Sequence, residues 1–196
     1  MLVLAAFAVL AATAVAGAGT ASATVLCKTT TTPCSSPYPA GTIIVPSLTG
    51  TNSLETLEGG TILTTCTQTV IKTKIEKSGS ATSTVYGPNQ ELQAANCTAA
   101  TTTLNKGALE IHHIAGTDNG TVTGLLAEVT VNTGIFGSCV YGTGTSVDIG
   151  TLIGGENPII KVNGIVKKVS GLCPNEARWT GEYKITEPKP LYVEPS

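Results

Sequence analysis

The chain has 196 residues and a formal net charge of −2, with 41% hydrophobic, 4% aromatic and 12% charged residues. That length is one domain with room for one core, and the near-neutral charge excludes the basic footprint that nucleic acid or an anionic membrane surface requires. A charged fraction of 12% is half the ~25% of an ordinary globular domain, so Thr, Ser, Asn and 22 Gly carry the polar surface, and these favour strands and turns over exposed helices.

Residues 2–15 are small and apolar apart from Thr13, and Ala21-Ser22-Ala23 follows with the small-x-small pattern of a signal-peptidase site. No Lys or Arg precedes the run, so the basic n-region of a signal peptide is missing or cut short. The run is shorter than the ~20 residues of a membrane span. Residues 1–23 are therefore expected to form a signal helix, and 24–196 one secreted domain beginning at Thr24. No later stretch is long and apolar enough to span a bilayer, so no membrane span is expected after cleavage.

Residues 27–34 form a small loop between two cysteines, and 42–45 a strand ended by Pro46. Thr and β-branched residues dominate 62–75, a long strand or two strands joined at a bulge. Turns are expected at 77–80 and 87–90. Residues 91–95 have the composition of one helical turn before the chain returns to Thr-rich strand. Leu109, Ile111 and His113 share one face of a strand, and Asp118-Asn119-Gly120 makes a hairpin turn. The central strand follows: Leu125, Ala127, Val129 and Val131 on one face, Leu126, Glu128 and Thr130 on the other. Asn163-Gly164, between two β-branched runs, is the strongest type I′ hairpin signal. Residues 177–185 make a last strand with Trp179 and Tyr183 on one face. Strands at about 10-residue spacing with Gly/Asn/Asp turns predict an all-β fold. An antiparallel β-sandwich is the economical architecture, with a β-barrel as the alternative.

Six cysteines, Cys27, Cys34, Cys66, Cys97, Cys139 and Cys173, all follow the cleavage site. An even number in an exported chain is a disulfide framework. Six allow 15 connectivities. The simplest is sequential, Cys27–Cys34, Cys66–Cys97 and Cys139–Cys173. No Cys-x-x-Cys or Cys/His pair has zinc spacing, so no metal and no cofactor is expected.

The catalytic inventory is thin. His112 and His113 are adjacent and point to opposite faces of a strand, which prevents joint chelation. Ser138, a histidine and Asp148 supply the residue types of a triad without the Gly-x-Ser-x-Gly elbow. Glu110 and Glu128 are strand acids with no aromatic cleft between them. Asp118-Asn119-Gly120 lacks the other ligands of a calcium loop, and Gly142-Thr143-Gly144-Thr145 opens no helix that would hold a phosphate. Asn96-Cys97-Thr98 and Asn119-Gly120-Thr121 match the glycosylation acceptor pattern. Tyr141, Trp179, Tyr183 and Tyr192 are read as packing residues before ligand contacts.

The segment Tyr38-Pro39-Ala40-Gly41-Thr42 after the paired cysteines, and the end Cys173-Pro174, Trp179, Tyr183 and Pro190-Leu191-Tyr192-Val193, resemble small exported proteins of high-GC Gram-positive bacteria. That resemblance implies secretion and a disulfide-stapled β fold, and assigns no catalytic residue. The expected function is a non-enzymatic extracellular or envelope-associated interaction or structural module with a protein or glycan partner. The alternatives are a secreted hydrolase whose site assembles only in three dimensions, or a secreted inhibitor using exposed loops such as 142–146.

Overall fold

A computed structural model describes residues 23–80, 83–134 and 136–196. The signal helix expected over 1–23 lies outside them but for Ala23. The described chain is entirely strands and turns. In order they are β1 (Thr24–Cys27), β2 (Ile43–Leu48), β3 (Asn52–Thr56), β4 (Ile62–Lys74), β5 (Lys77–Ser80), β6 (Ser83–Cys97), β7 (Ala100–Asn105), β8 (Ala108–His113), β9 (Gly120–Leu125), β10 (Glu128–Thr133), β11 (Gly137–Gly142), β12 (Val147–Ile153), β13 (Ile159–Ser170), β14 (Glu176–Glu187) and β15 (Tyr192–Pro195).

The architecture is a closed antiparallel barrel, the alternative to the sandwich that the strand pattern made the first expectation. Strands β2, β4, β6, β8, β9, β12, β13 and β14 pair in a ring that closes through β14–β2 and β2–β4. Four further strands extend the wall in line with ring members: β3 after β2, β7 before β8, β10 after β9 and β11 before β12. Strands β4, β6, β13 and β14, of 13, 15, 12 and 12 residues, run the whole height unbroken. The result is eight antiparallel staves, each beside the one that follows it in sequence. Closure satisfies the edges that two facing sheets would leave open. Along β13 every second side chain, Ile160, Val162, Gly164 and Val166, is buried and the intervening ones face solvent, as one wall of a barrel requires.

Several local expectations give way to this wall. Asn163-Gly164 does not turn: both lie inside β13, paired with Thr180 and Trp179. A β-carbon on Gly164 would stand 2.7 Å from the Ile149 Cα, so the glycine serves close approach of a neighbouring stave. The turn expected at 87–90 and the helical turn at 91–95 are both part of β6, whose pairing to β4 and β8 satisfies their backbone. Residues 77–80 pair with β6 as β5, and β2 runs through Pro46. The central strand is broken: Leu126 has φ of 54°, which separates β9 from β10. This left-handed residue is held by Leu126 N–H donating to Gly144 O at 2.7 Å and Ala127 N–H to Thr143 Oγ1 at 3.0 Å.

The three disulfides are the sequential ones expected, Cys27–Cys34, Cys66–Cys97 and Cys139–Cys173, a number that suits an oxidising setting outside the cytosol. The first staples a cap over one end of the barrel. There β1 and β15 form a two-stranded sheet whose Leu26 and Val193 are buried, beside Leu191. Tyr38 Oη donates to Pro190 O at 2.6 Å across the cap. The other end, the base, is filled by Leu54, Leu63, Val131, Val166, Ala177 and the buried Cys139–Cys173 bridge. Tyr141 Oη donates to Pro174 O at 2.9 Å there.

Candidate functional site

A cavity of about 90 Å³ lies inside the barrel towards the base. A second, of about 40 Å³, continues towards the cap, and Leu92, Ala127, Thr143 and Trp179 line both. The lining of the larger cavity has no charged side chain. Val129 and Val131 from β10, Leu54 from β3, Tyr141 from β11 and Val166 from β13 form its apolar wall, with Leu92 and Ala94 from β6 facing Thr101 and Thr103 from β7. Of the face read from the central strand, Ala127, Val129 and Val131 line the cavity, whereas Leu125, on the other side of the break, does not, because Val122 and Gly124 are the inward residues of β9. A larger hollow of about 410 Å³ at the base is a polar crease of mixed charge between the β3–β4 and β13–β14 turns.

The polar groups above the cavity are satisfied internally. Asn52 Nδ2 donates to Thr69 Oγ1 at 2.7 Å and to Tyr183 Oη at 3.0 Å. Burial raises the Tyr183 phenol above its ordinary value, while hydrogen bonds with Asn52, Thr69 and Trp179 pull the other way. Trp179 and Tyr183 share a face as expected and meet edge-on, with ring centroids 6.4 Å apart and planes at 78°. The only tryptophan of the chain thus stands at the partition between the two cavities.

One seam in the wall differs from the rest. The chain reverses at Thr98-Ala99, yet among the described residues β6 and β7 share no ladder. Across the seam Thr103 Oγ1 donates to Leu92 O at 2.5 Å. Its cap-side end is tied by Asn89 Nδ2 donating to Lys106 O at 2.7 Å and Lys106 Nζ to Gln90 O at 2.8 Å. Its base-side end is closed by the chain reversal itself, which is anchored to β4 by Cys66–Cys97 and by Thr98 N–H donating to Thr65 O at 2.9 Å. Leu92, Ala94, Thr101 and Thr103, the cavity residues on its two lips, are only half-buried, whereas Leu54, Tyr141 and Val166 on the far wall are buried. Nothing in the sequence distinguished this hairpin from a paired one.

Among the residues considered for catalysis, Glu110 and Asp148 flank Thr123 and Glu110 meets His112, while Ser138 and Glu128 lie apart from them. Ser138 sits at the base, opposite Asn132. Asp148 lies in the cap-side half, where its Oδ1 accepts from Thr123 Oγ1 at 2.6 Å. Glu110 lies opposite Thr123 on β9, and Glu128 lies beyond the break, opposite Gly142. His112 turns outward to Glu110 at 3.6 Å. Tyr141 is buried, and Tyr192 donates to Glu156 Oε1 at 3.1 Å. His113 enters a cluster that sequence reasoning missed, because its partners come from distant segments. Glu194 on β15 is 2% exposed. Its Oε2 accepts from Thr32 Oγ1 at 3.0 Å, while Oε1 is buried without a donor. Burial raises the Glu194 carboxyl above its ordinary 4.5; Thr32 lowers it, the Asp118 carboxylate raises it, and His113 lowers it. The same corner is tied by Val193 N–H donating to Asp118 O at 2.9 Å and His113 N–H to Thr24 Oγ1 at 2.8 Å. These bonds fasten the cap to the β8–β9 turn, the hairpin that Asp118-Asn119-Gly120 was expected to make.

Fold and site together define an eight-stranded up-and-down antiparallel barrel, capped at one end and packed at the other, around a small uncharged interior. No protein family, curated protein or solved structure matches this chain.

Proposed function

We propose that the protein is an exported, non-enzymatic binding module that holds a small, uncharged, apolar molecule inside the barrel. The observation that carries this reading is the charge-free cavity behind the β6–β7 seam. An ion taken into such a lining would lose its hydration with no counter-charge to replace it. An apolar molecule loses nothing and gains packing contacts with Leu92, Val129, Val131 and Trp179. Size supports the class. Cavities of about 90 and about 40 Å³ are parted by Leu92, Ala127, Thr143 and Trp179, and a shift of these side chains that merges the two brings the volume near the ~150 Å³ at which an apolar cavity takes up benzene. The disulfides and the leader-like residues 2–15 support export.

Benzene is the test ligand, titrated against the oxidised protein with Trp179 fluorescence and amide shifts of Leu92, Ala127 and Val131 as readouts. Saturable changes confined to these positions are expected, together with a rise in unfolding midpoint that follows benzene concentration. Ala127→Leu, which fills the partition, abolishes both responses while leaving a cooperative unfolding transition. Absence of any saturable response up to the solubility of benzene refutes the reading.

A further inference from the structure

We infer that the β6–β7 seam is the doorway through which an apolar molecule reaches the cavity, an inference that rests on the binding role proposed above. The cap end is closed by Leu26, Leu191 and Val193, all buried, and by the Tyr38–Pro190 hydrogen bond. The base is closed by the packed Cys139–Cys173 bridge and its neighbours. Around the wall, every other pair of adjacent staves is joined by an antiparallel ladder. Parting two laddered staves breaks a row of backbone hydrogen bonds and leaves their donors and acceptors unpaired in a dry interior. Parting β6 from β7 between its two fastened ends breaks, among the described residues, one hydrogen bond, from Thr103 Oγ1 to Leu92 O.

The exposure of the lips agrees. Leu92, Ala94, Thr101 and Thr103 face the cavity and are only partly buried, all four of them, whereas the rest of the lining mixes partly buried residues such as Val129 and Trp179 with buried ones such as Leu54, Tyr141 and Val166. The opening is bounded. Asn89 and Lys106 hold its cap-side end, and the chain reversal at Thr98-Ala99 its base-side end. Between them β7 offers six residues, a slit about 20 Å long at the ~3.3 Å rise of a strand. Such a slit admits a flat or linear molecule side-on and excludes a folded peptide. The hydroxyls on its lips are already donating, Thr101 Oγ1 to Ala99 O at 3.0 Å and Thr103 Oγ1 to Leu92 O at 2.5 Å. They offer an entering molecule only methyl groups and acceptor lone pairs, which suits hydrocarbon, with at most one hydroxyl to donate.

The doorway is tested by exchange kinetics, which separate it from the site itself. Gln93→Cys/Thr102→Cys, at exposed positions of the two lips outside the cavity lining, bridged by a bifunctional thiol reagent, ties the lips together; the same variant alkylated singly is its control. Benzene exchange measured by NMR is expected to slow at least tenfold in both directions in the bridged protein, with Kd unchanged. Thr103→Val, which keeps the shape and removes the hydroxyl from this cavity-lining residue, is expected to raise the association rate several-fold whatever its effect on Kd. Equal rates in bridged, control and Thr103→Val proteins, with benzene still bound, overturn the doorway and leave the site standing. Failure of the unmodified protein to bind benzene overturns the binding role, and the doorway with it.

Discussion

Removal of the Cys66–Cys97 bridge by paired alanine substitution should cost more than its position at one hairpin implies. The bridge spans a sequence separation of 31, and the Cys27–Cys34 bridge one of 7. In the chain-entropy treatment a cross-link acts on the unfolded chain, with a logarithmic dependence on loop length. The two loops then give about 3.7 and about 2.4 kcal/mol at 25 °C. The Cys139–Cys173 bridge, at a separation of 34, falls beside the larger figure, about 3.8 kcal/mol. Urea unfolding of the three double variants, each with its other bridges oxidised, reads the difference directly. The Cys66→Ala/Cys97→Ala protein should lose about 1 kcal/mol more than the Cys27→Ala/Cys34→Ala protein. Its m-value should also rise more, because a longer segment of the unfolded chain is released to solvent. An unchanged m-value, or a loss no larger than that of the short-loop variant, would refute the unfolded-state argument. The bridge would then have to act by holding β4 against β6 in the folded barrel.

Two further predictions concern the polar groups. Glu194 is raised above 4.5, chiefly by burial, so the folded protein binds its proton more tightly than the unfolded chain does. That contribution is complete below the ordinary carboxylate range and is lost as pH rises from there through the folded-state value. Glu194→Gln should flatten the fall of stability with pH over that window, as read from thermal midpoints between pH 4 and 8; an unaltered slope would place the pH dependence elsewhere. Asn52→Ala leaves Thr69 Oγ1 and Tyr183 Oη without their shared donor. At about 1–2 kcal/mol for each buried hydroxyl so abandoned, the loss should be about 2–4 kcal/mol in chemical unfolding. It should shrink in a Tyr183→Phe background, since the removed oxygen no longer needs a partner.

The sequence was legible where a rule is local. Period-two burial located the cavity face of Ala127, Val129 and Val131, the shared face of Trp179 and Tyr183, and the turn at Asp118-Asn119-Gly120. It was illegible where distant segments decide. Whether the sheet closes depends on β14 meeting β2, a pairing such as Ile185 with Pro46 that leaves no mark near either residue. Asn163-Gly164 has the composition of a turn, but the packing of Ile149 against that glycine holds it in a strand. The seam was hidden for a related reason. A Thr-rich hairpin reads the same whether its arms pair or splay, and here β4 and β10 draw the two arms to different neighbours. Glu194 gave no signal because Thr32, Asp118 and His113 reach it only after the barrel has formed and the cap has settled.

The order of the cysteines has a consequence for how the molecule is made. None of the three loops encloses or overlaps another. A chain threaded N-terminus first into an oxidising compartment presents Cys27 and Cys34 before any competitor, then Cys66 and Cys97, then the last two. Order of arrival alone therefore selects the native connectivity from the 15 available. The staves emerge in the same succession, each beside the one just laid down, so no bridge has to be undone to admit a later strand. The closing seam of β14 against β2 and β3, and the cap pairing of β1 with β15, wait for the last strands. Oxidation in order of emergence would reach these three bridges without reshuffling disulfides.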